Sequence, residues 1–237
     1  MAKIAIIYYS TYGHIAQLAE AAKKGVESVD GVTAEIYQVQ ETLSDEILGK
    51  MHAAPKKDHP IATVDTLKEA DGILFGFPTR FGSLPAQVKA LFDSAGGLTG
   101  TQGGGQETTA FTALTFLAHQ GLTFVPLGYR APELFNMDEI HGGSPWGAGT
   151  LAGNQGGGQE TTAFTALTFL AHQGLTFVPL GYRAPELFNM DEIHGGSPWG
   201  AGTLAGGDGS RQPSKLELTV ATTQGKSFAE VAKKLSS

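Results

Sequence analysis

Ile4 to Tyr9, an unbroken run of apolar, β-branched and aromatic residues, constrains the fold more than any other stretch of the chain. A strand without alternation has both faces buried, and the architecture that buries both faces is a parallel sheet covered by helices. The following residues agree. Ser-Thr-Tyr-Gly-His makes a turn, and Ile15, Leu18, Ala22 and Val26 then recur at helical spacing. Val32 to Val39 reads as a second strand, and the polar stretch with Pro55 and Pro60 as a loop around a short helix. Gly72 to Phe77 is a third strand, followed by PTRFGSLP and a helix carrying Val88, Leu91 and Phe92 that stops at Gly96-Gly97. This alternation specifies an α/β fold.

The pattern then breaks. A parallel sheet requires another strand before the next helix, but the chain offers only GGLTGTQGGG, in which no buried strand is possible. Beyond it, Gln102 to Gly153 and Gln155 to Gly206 are identical letter for letter. Repeat architectures tile diverged units and need about three or more of them, so two flawless copies are not a solenoid and point to a recent tandem duplication, an engineered joining or a mis-joined gene model. Each copy carries a helix, a strand and a Gly- and Pro-rich excursion. In the first these are Glu107 to His119 with Phe111, Leu114 and Leu117 as its core face, Leu122 to Leu127 (LTFVPL), and Gly128 to Gly153. In the second the core stripe runs from Phe164 to Leu170 and the strand is Leu175 to Leu180. A vacant interior slot would leave buried backbone groups unpaired at about 1–3 kcal/mol each. The first-copy strand is therefore expected to fill that slot and Leu175 to Leu180 to take the edge. Ser214 and Glu217 form an S-x-x-E capping box that opens a last helix running toward Leu235, with an interruption expected at Gly225. The tally is five strands in one domain spanning 1–237, with the two repeated segments inside it.

Composition closes off several classes. A net charge of −7 and a pI near 5.5, with basic residues only in pairs such as Lys23-Lys24, Lys56-Lys57 and Lys233-Lys234, exclude a nucleic-acid surface. The chain has no cysteine, so thiolate chemistry, disulfides and cysteine metal sites are excluded, and any redox chemistry must use a bound cofactor. MAKIAIIYYS is too short to be a signal peptide or a membrane span, so a cytoplasmic protein without membrane insertion is expected. Among seven histidines the tightest clusters, Asp138, Glu139 and His141 and their duplicates Asp191, Glu192 and His194, lack helical metal-ligand spacing, and no metal is expected.

Ligands of an open parallel sheet bind at the carboxyl ends of its strands. Two loops fall there, Ser10 to Ile15 and Pro78 to Phe81. The first joins three hydroxyls, a glycine and a helix N-terminus, which together suit a monophosphate without a lysine. It is neither a Walker loop nor G-x-G-x-x-G. The same residues also serve as ordinary turn and capping residues, and both readings stay open at this point. Ser144 and Ser210 do not fit a serine-hydrolase elbow. Trp146 and Trp199 are placed to wall a planar substrate or to bury at a subunit interface.

YYSTYGHI (Tyr8 to Ile15), FGFPTRFGSLPAQVKALFD (Phe75 to Asp93), GGGQETT, VPLGY, ELF followed by Asp-Glu, GGSPWGAGT and GGDGSRQPS together resemble the WrbA-type NAD(P)H:quinone oxidoreductases, with the fungal benzoquinone reductases and minor-allergen homologues. With the repeat read once, the resemblance covers nearly the whole chain. It implies a flavodoxin-like three-layer sandwich with a five-stranded parallel sheet of order 2-1-3-4-5, FMN as cofactor, NADH or NADPH as co-substrate, a quinone as acceptor, and a homotetramer or dimer. Position by position it implies cofactor contacts from Ser10, Thr11, Tyr12, Gly13, His14 and Ile15, from Pro78, Thr79, Arg80 and Phe81, and from Thr99, Gly100 and Thr101. The family's flavin-side histidine matches His119 and His172 equally, and substrate contacts match Tyr12 and either Tyr129 or Tyr182. Arg80 would favour an anionic reduced flavin. The departure coincides with the break in the pattern, because Leu98 is followed at once by Thr99-Gly100-Thr101, and the family's tryptophan-bearing segment and fourth strand are missing. Two alternatives follow: an electron-carrying flavodoxin without pyridine-nucleotide turnover, and a defective form of the reductase that lacks flavin.

Overall fold

The structure, a computed structural model, describes residues 1–80, 83–95, 162–163, 165–167, 176–205 and 210–236. Strands β1 (Ala2–Tyr8), β2 (Val32–Gln38) and β3 (Gly72–Gly76) form a parallel sheet in the order β2-β1-β3. Ile4 lies opposite Ala34 and Gly72, and Ile6 opposite Ile36 and Leu74. β1 is thus central, which explains its unalternating sequence. Ile4 and Ile6 face one core, while Ala5 and Ile7 face the other. All four are nearly fully buried, and each isoleucine side chain contributes about 1.5–3 kcal/mol by leaving water.

Helix α1 (His14–Glu27) covers the first face through Ala16, Ala19 and Val26. The short α2 (Asp45–Lys50) is capped by Ser44 and contributes no buried residue. On the second face, α3 (Val64–Glu69) packs through Leu67, and α4 (Ala86–Ser94) through Val88, Leu91 and Phe92. Ala166, in a described helical piece of the second repeat, joins that same core. The last helix, α5 (Lys215–Leu235), starts at the expected box: the Glu217 N–H donates to Ser214 Oγ at 3.2 Å, and the Ser214 N–H to Glu217 Oε2 at 2.8 Å. It lies on α1 with Ala229 and Ala232 in the first core.

Two expectations are corrected. α5 runs unbroken through Gly225, because the glycine lets two helix backbones meet. A Cβ there would lie 2.1 Å from the Ala22 carbonyl oxygen, and one at Gly25 would lie 1.9 Å from that of Thr222. The helix cost of glycine, about 1 kcal/mol against alanine, is outweighed by that contact. The second correction concerns Leu175 to Leu180: residues 176–180 are not in a strand. Pro179 has no N–H for a ladder, and Leu180 is held by apolar burial against Ala184 and Val220 of α5. Leu122 to Leu127 lies outside the described residues. The structure therefore shows a parallel α/β sheet of three strands among the described residues, with helices on both faces. Among the described residues no helix is long and apolar enough to cross a membrane.

Candidate functional site

Parallel strands end together, so the loops after β1 and β3 emerge side by side. The Tyr9 N–H extends the ladder to the Gly76 carbonyl at 2.9 Å, and beyond this bond the chains separate into the two expected segments. They touch again at their tips: Arg80 Nη2 donates to Thr11 Oγ1 at 3.1 Å, while its Nη1 donates to the Thr79 carbonyl at 3.2 Å. Ser10, Thr11 and His14 are buried, whereas Tyr12 is 39% exposed. The structure thus brings Ser10 to Ile15 and Pro78 to Arg80 into one site.

Gly13 sits at φ +84°, a conformation that favours glycine, and turns the chain into α1 without any side-chain cap. No acid occupies the first turn. The first N–H drawn into the helix is that of Gln17, which donates to the Gly13 carbonyl at 3.2 Å. Upstream of it, the N–H groups of Ser10 through Ala16 have no acceptor among the described residues. Backbone donors in a buried setting are ordinarily paired. A run of open donors at a helix start, with the positive end of the helix dipole behind it, is a concavity for an anion. Gln212 closes the rim, accepting from Gln17 Nε2 at 2.8 Å, with its own Nε2 at 3.4 Å from His14 Nε2.

The loop is braced from behind by residues 54–56. The Ala54 N–H donates to the Thr11 carbonyl at 2.9 Å, and Lys56 Nζ donates to the Ser10 carbonyl at 3.3 Å. Lys56 is itself held by Glu41 Oε2 at 2.8 Å and lies 4.8 Å from the centre of the Tyr9 ring. Glu41 also accepts from the Tyr9 hydroxyl at 3.1 Å, Gln87 Nε2 at 3.0 Å and the backbone N–H groups of Thr42 and Leu43. Burial works against ionisation of Glu41. The hydrogen bonds from Lys56, Leu43, Thr42 and Gln87 outweigh it and bring the carboxyl from its ordinary 4.5 to about 2. Neither Glu41 nor this role of Lys56 is visible in the sequence, because the bonds that tie them to Tyr9, Gln87 and Ser10 reach 32 to 46 positions along the chain and no local spacing marks them.

The remaining expected positions are dispersed. Tyr182 is 68% exposed and stacks on Phe188, ring centroids 5.4 Å apart. Trp199 lies against Phe177, with centroids 5.9 Å apart. His194 places its two ring nitrogens beside the carbonyls of Gly195 and Asn189. The excursion that carries these residues is tied to α5 by Glu217, which accepts from the N–H groups of Gly195 and Leu204 and from Thr203 Oγ1, and pairs with Arg211 at 3.0 Å. Phe81, Thr99, Gly100, Thr101, His119, Tyr129 and His172 lie outside the described residues.

Residues 2–122 match the family described as NADPH-dependent FMN reductase. The chain belongs to this family. The matched stretch holds the three described strands and both segments of the site, Ser10 to Ile15 and Pro78 to Phe81, and ends inside the first repeat. Several curated proteins are similar over nearly their whole length. The "Quinone-oxidoreductase QR2" of Triphysaria versicolor is 50% identical, with 98% of this chain and 96% of the relative covered. The "NAD(P)H quinone oxidoreductase PST3" of Candida albicans is 48% identical, with 98% of both covered. The "Minor allergen Alt a 7" of Alternaria alternata is 42% identical, with 98% and 97% covered. The donor set of the site fits the family's cofactor. Open N–H groups and the buried Ser10 and Thr11 hydroxyls suit the phosphate of FMN, and Arg80 adds a positive charge between the loops.

Proposed function

We propose that this chain is an FMN-dependent NAD(P)H:quinone oxidoreductase. The observation that carries this is the run of N–H groups from Ser10 to Ala16 without an acceptor among the described residues, at the carboxyl end of the central strand, in a chain whose family and relatives carry flavin and quinone chemistry in their names. When bound, FMN would supply the redox chemistry, accepting a hydride from NADH or NADPH and returning two electrons with two protons, one of them from solvent, to a quinone that leaves as the hydroquinone. The protein's share is binding and orientation. Ser10, Thr11 and the backbone of Tyr12 to Ile15 hold the phosphate. Pro78, Thr79, Arg80 and Phe81 border the flavin ring, and Arg80 offsets negative charge on the reduced ring. Thr99 to Thr101 and one of His119 and His172 complete the cofactor contacts, while Tyr12 and one of Tyr129 and Tyr182 face the substrate. No side chain acts as a nucleophile.

The strand order β2-β1-β3 is the first part of 2-1-3-4-5, and we assign the remaining strands of a flavodoxin-like sheet to the rest of one domain, with a homotetramer or dimer as the assembly and the cytoplasm as the compartment. Steady consumption of NADH or NADPH that requires both FMN and added benzoquinone is the expected result. Flavin-loaded protein that passes no electrons from either nucleotide to benzoquinone would instead make the chain an FMN-binding electron carrier.

A further inference from the structure

The two carbonyls at the start of the phosphate loop are both held from one side. Lys56 Nζ bonds the Ser10 carbonyl and the Ala54 N–H bonds that of Thr11. In a trans peptide the C=O and the following N–H point in opposite directions. Fixing these two carbonyls on the 54–56 side therefore turns the N–H groups of Thr11 and Tyr12 to the other side, where they have no acceptor among the described residues. Lys56 would be a loose, half-exposed side chain were it not for Glu41, which grips its ammonium at 2.8 Å and is in turn fixed by Tyr9 and Gln87. Tyr9 leads directly into the loop, and Gln87 is in α4, the helix that follows β3. The brace thus draws on the segments that follow β1 and β3.

We propose that Lys56, held by Glu41, is a positioning residue for the phosphate loop: it sets the direction of the loop's N–H groups and thereby the preference of the site for a phosphorylated flavin over the same flavin without phosphate. This rests on the assignment of the loop to the FMN phosphate. The ammonium acts through the peptide and does not itself contact the ligand, since its bonds go to Ser10 O and Glu41. It differs in this from Arg80, whose guanidinium lies at the tip of the loop on the Thr11 hydroxyl.

The test compares the affinities of FMN and riboflavin, read by quenching of flavin fluorescence, for the full-length protein and for Lys56→Met, Lys56→Arg and Glu41→Gln. A general loss of structure weakens both flavins, whereas a misdirected phosphate loop weakens FMN alone. Lys56→Met is expected to weaken FMN about tenfold and riboflavin less than about twofold, the size expected for a hydrogen bond from a charged donor. Lys56→Arg is expected to restore most of the preference, and Glu41→Gln to lose part of it with Lys56 still present. An unchanged ratio of the two affinities in both Lys56→Met and Glu41→Gln, in a protein that itself prefers FMN, would overturn the positioning role and leave the cofactor assignment standing. Wild-type protein that binds the two flavins equally would overturn the phosphate assignment, and this inference with it.

Discussion

Glu41 and Glu217 each collect hydrogen bonds from several parts of the chain, yet they organise different things. Glu217 is fully buried and holds the excursion of residues 193–211, which among its described residues has no helix or strand of its own. Its acceptors are occupied by Gly195, Thr203, Leu204, Arg211 and Ser214. Glu41 is about 15% exposed, and its side-chain partners Tyr9 and Gln87 lie on pieces already fixed by the second core. Removal of Glu217 should therefore take away the folding support of a segment, whereas removal of Glu41 should leave the surrounding chain folded and change where a loop points. A buried carboxylate is therefore an architectural element where its acceptors serve the segment around it, and a positioning element where they hold a cation that bonds a neighbouring loop.

That contrast predicts the largest effect at Glu217. Glu217→Ala should lower stability to urea by about 3–5 kcal/mol, because Arg211 and the excursion N–H groups lose a fully desolvated partner. Glu41→Ala should cost clearly less, and equal losses in the two variants would abolish the distinction.

Acid should expose the next effect. The Glu41 carboxyl lies at about 2 in the fold against an ordinary 4.5, a lowered folded value. Its stabilisation is complete above about pH 4.5 and is lost as pH falls toward about 2. Burial disfavours the Glu217 carboxylate, but the N–H groups of Gly195 and Ser214, with Arg211 and Thr203, outweigh it and lower that pKa also. The urea midpoint should therefore decline between pH 4.5 and about 2, and Glu41→Gln should flatten part of that decline. An identical pH profile for wild type and Glu41→Gln would contradict the ion pair with Lys56.

The smallest change should come from Tyr182→Ala. The ring is largely exposed and touches Phe188, so stability should stay within about 0.5 kcal/mol, while any role at the substrate side would appear as a raised KM for the quinone.

The features legible in the sequence were those fixed by neighbours along the chain. β1 announced itself by an unbroken apolar run, α1 by its spacing, and α5 by the Ser214 and Glu217 box, because burial on two faces, helical period and capping all act over a few residues. Gly225 reads as an interruption because glycine is a local signal of helix weakness, and only the approach of the Ala22 backbone shows why it is there. Leu175 to Leu180 has the composition of a strand, but a strand also needs a neighbour, and Leu180 packs instead on Val220. The candidate site divides in the same way. Ser10 to Ile15 and Pro78 to Arg80 are visible as loops at strand ends, whereas Glu41, Lys56 and Gln212 enter it across 32, 46 and 198 positions of chain, a distance over which no pattern of residue types carries information.

An FMN titration of the purified full-length chain, after its intact mass confirms both repeats, is the measurement to make first. Quenching of flavin fluorescence with micromolar or tighter affinity is the predicted result, since the phosphate loop, its brace and Arg80 are assembled within the first 87 residues. No quenching at any protein concentration reached would contradict it, and would mean that the duplicated chain keeps the family's loop geometry without the cofactor.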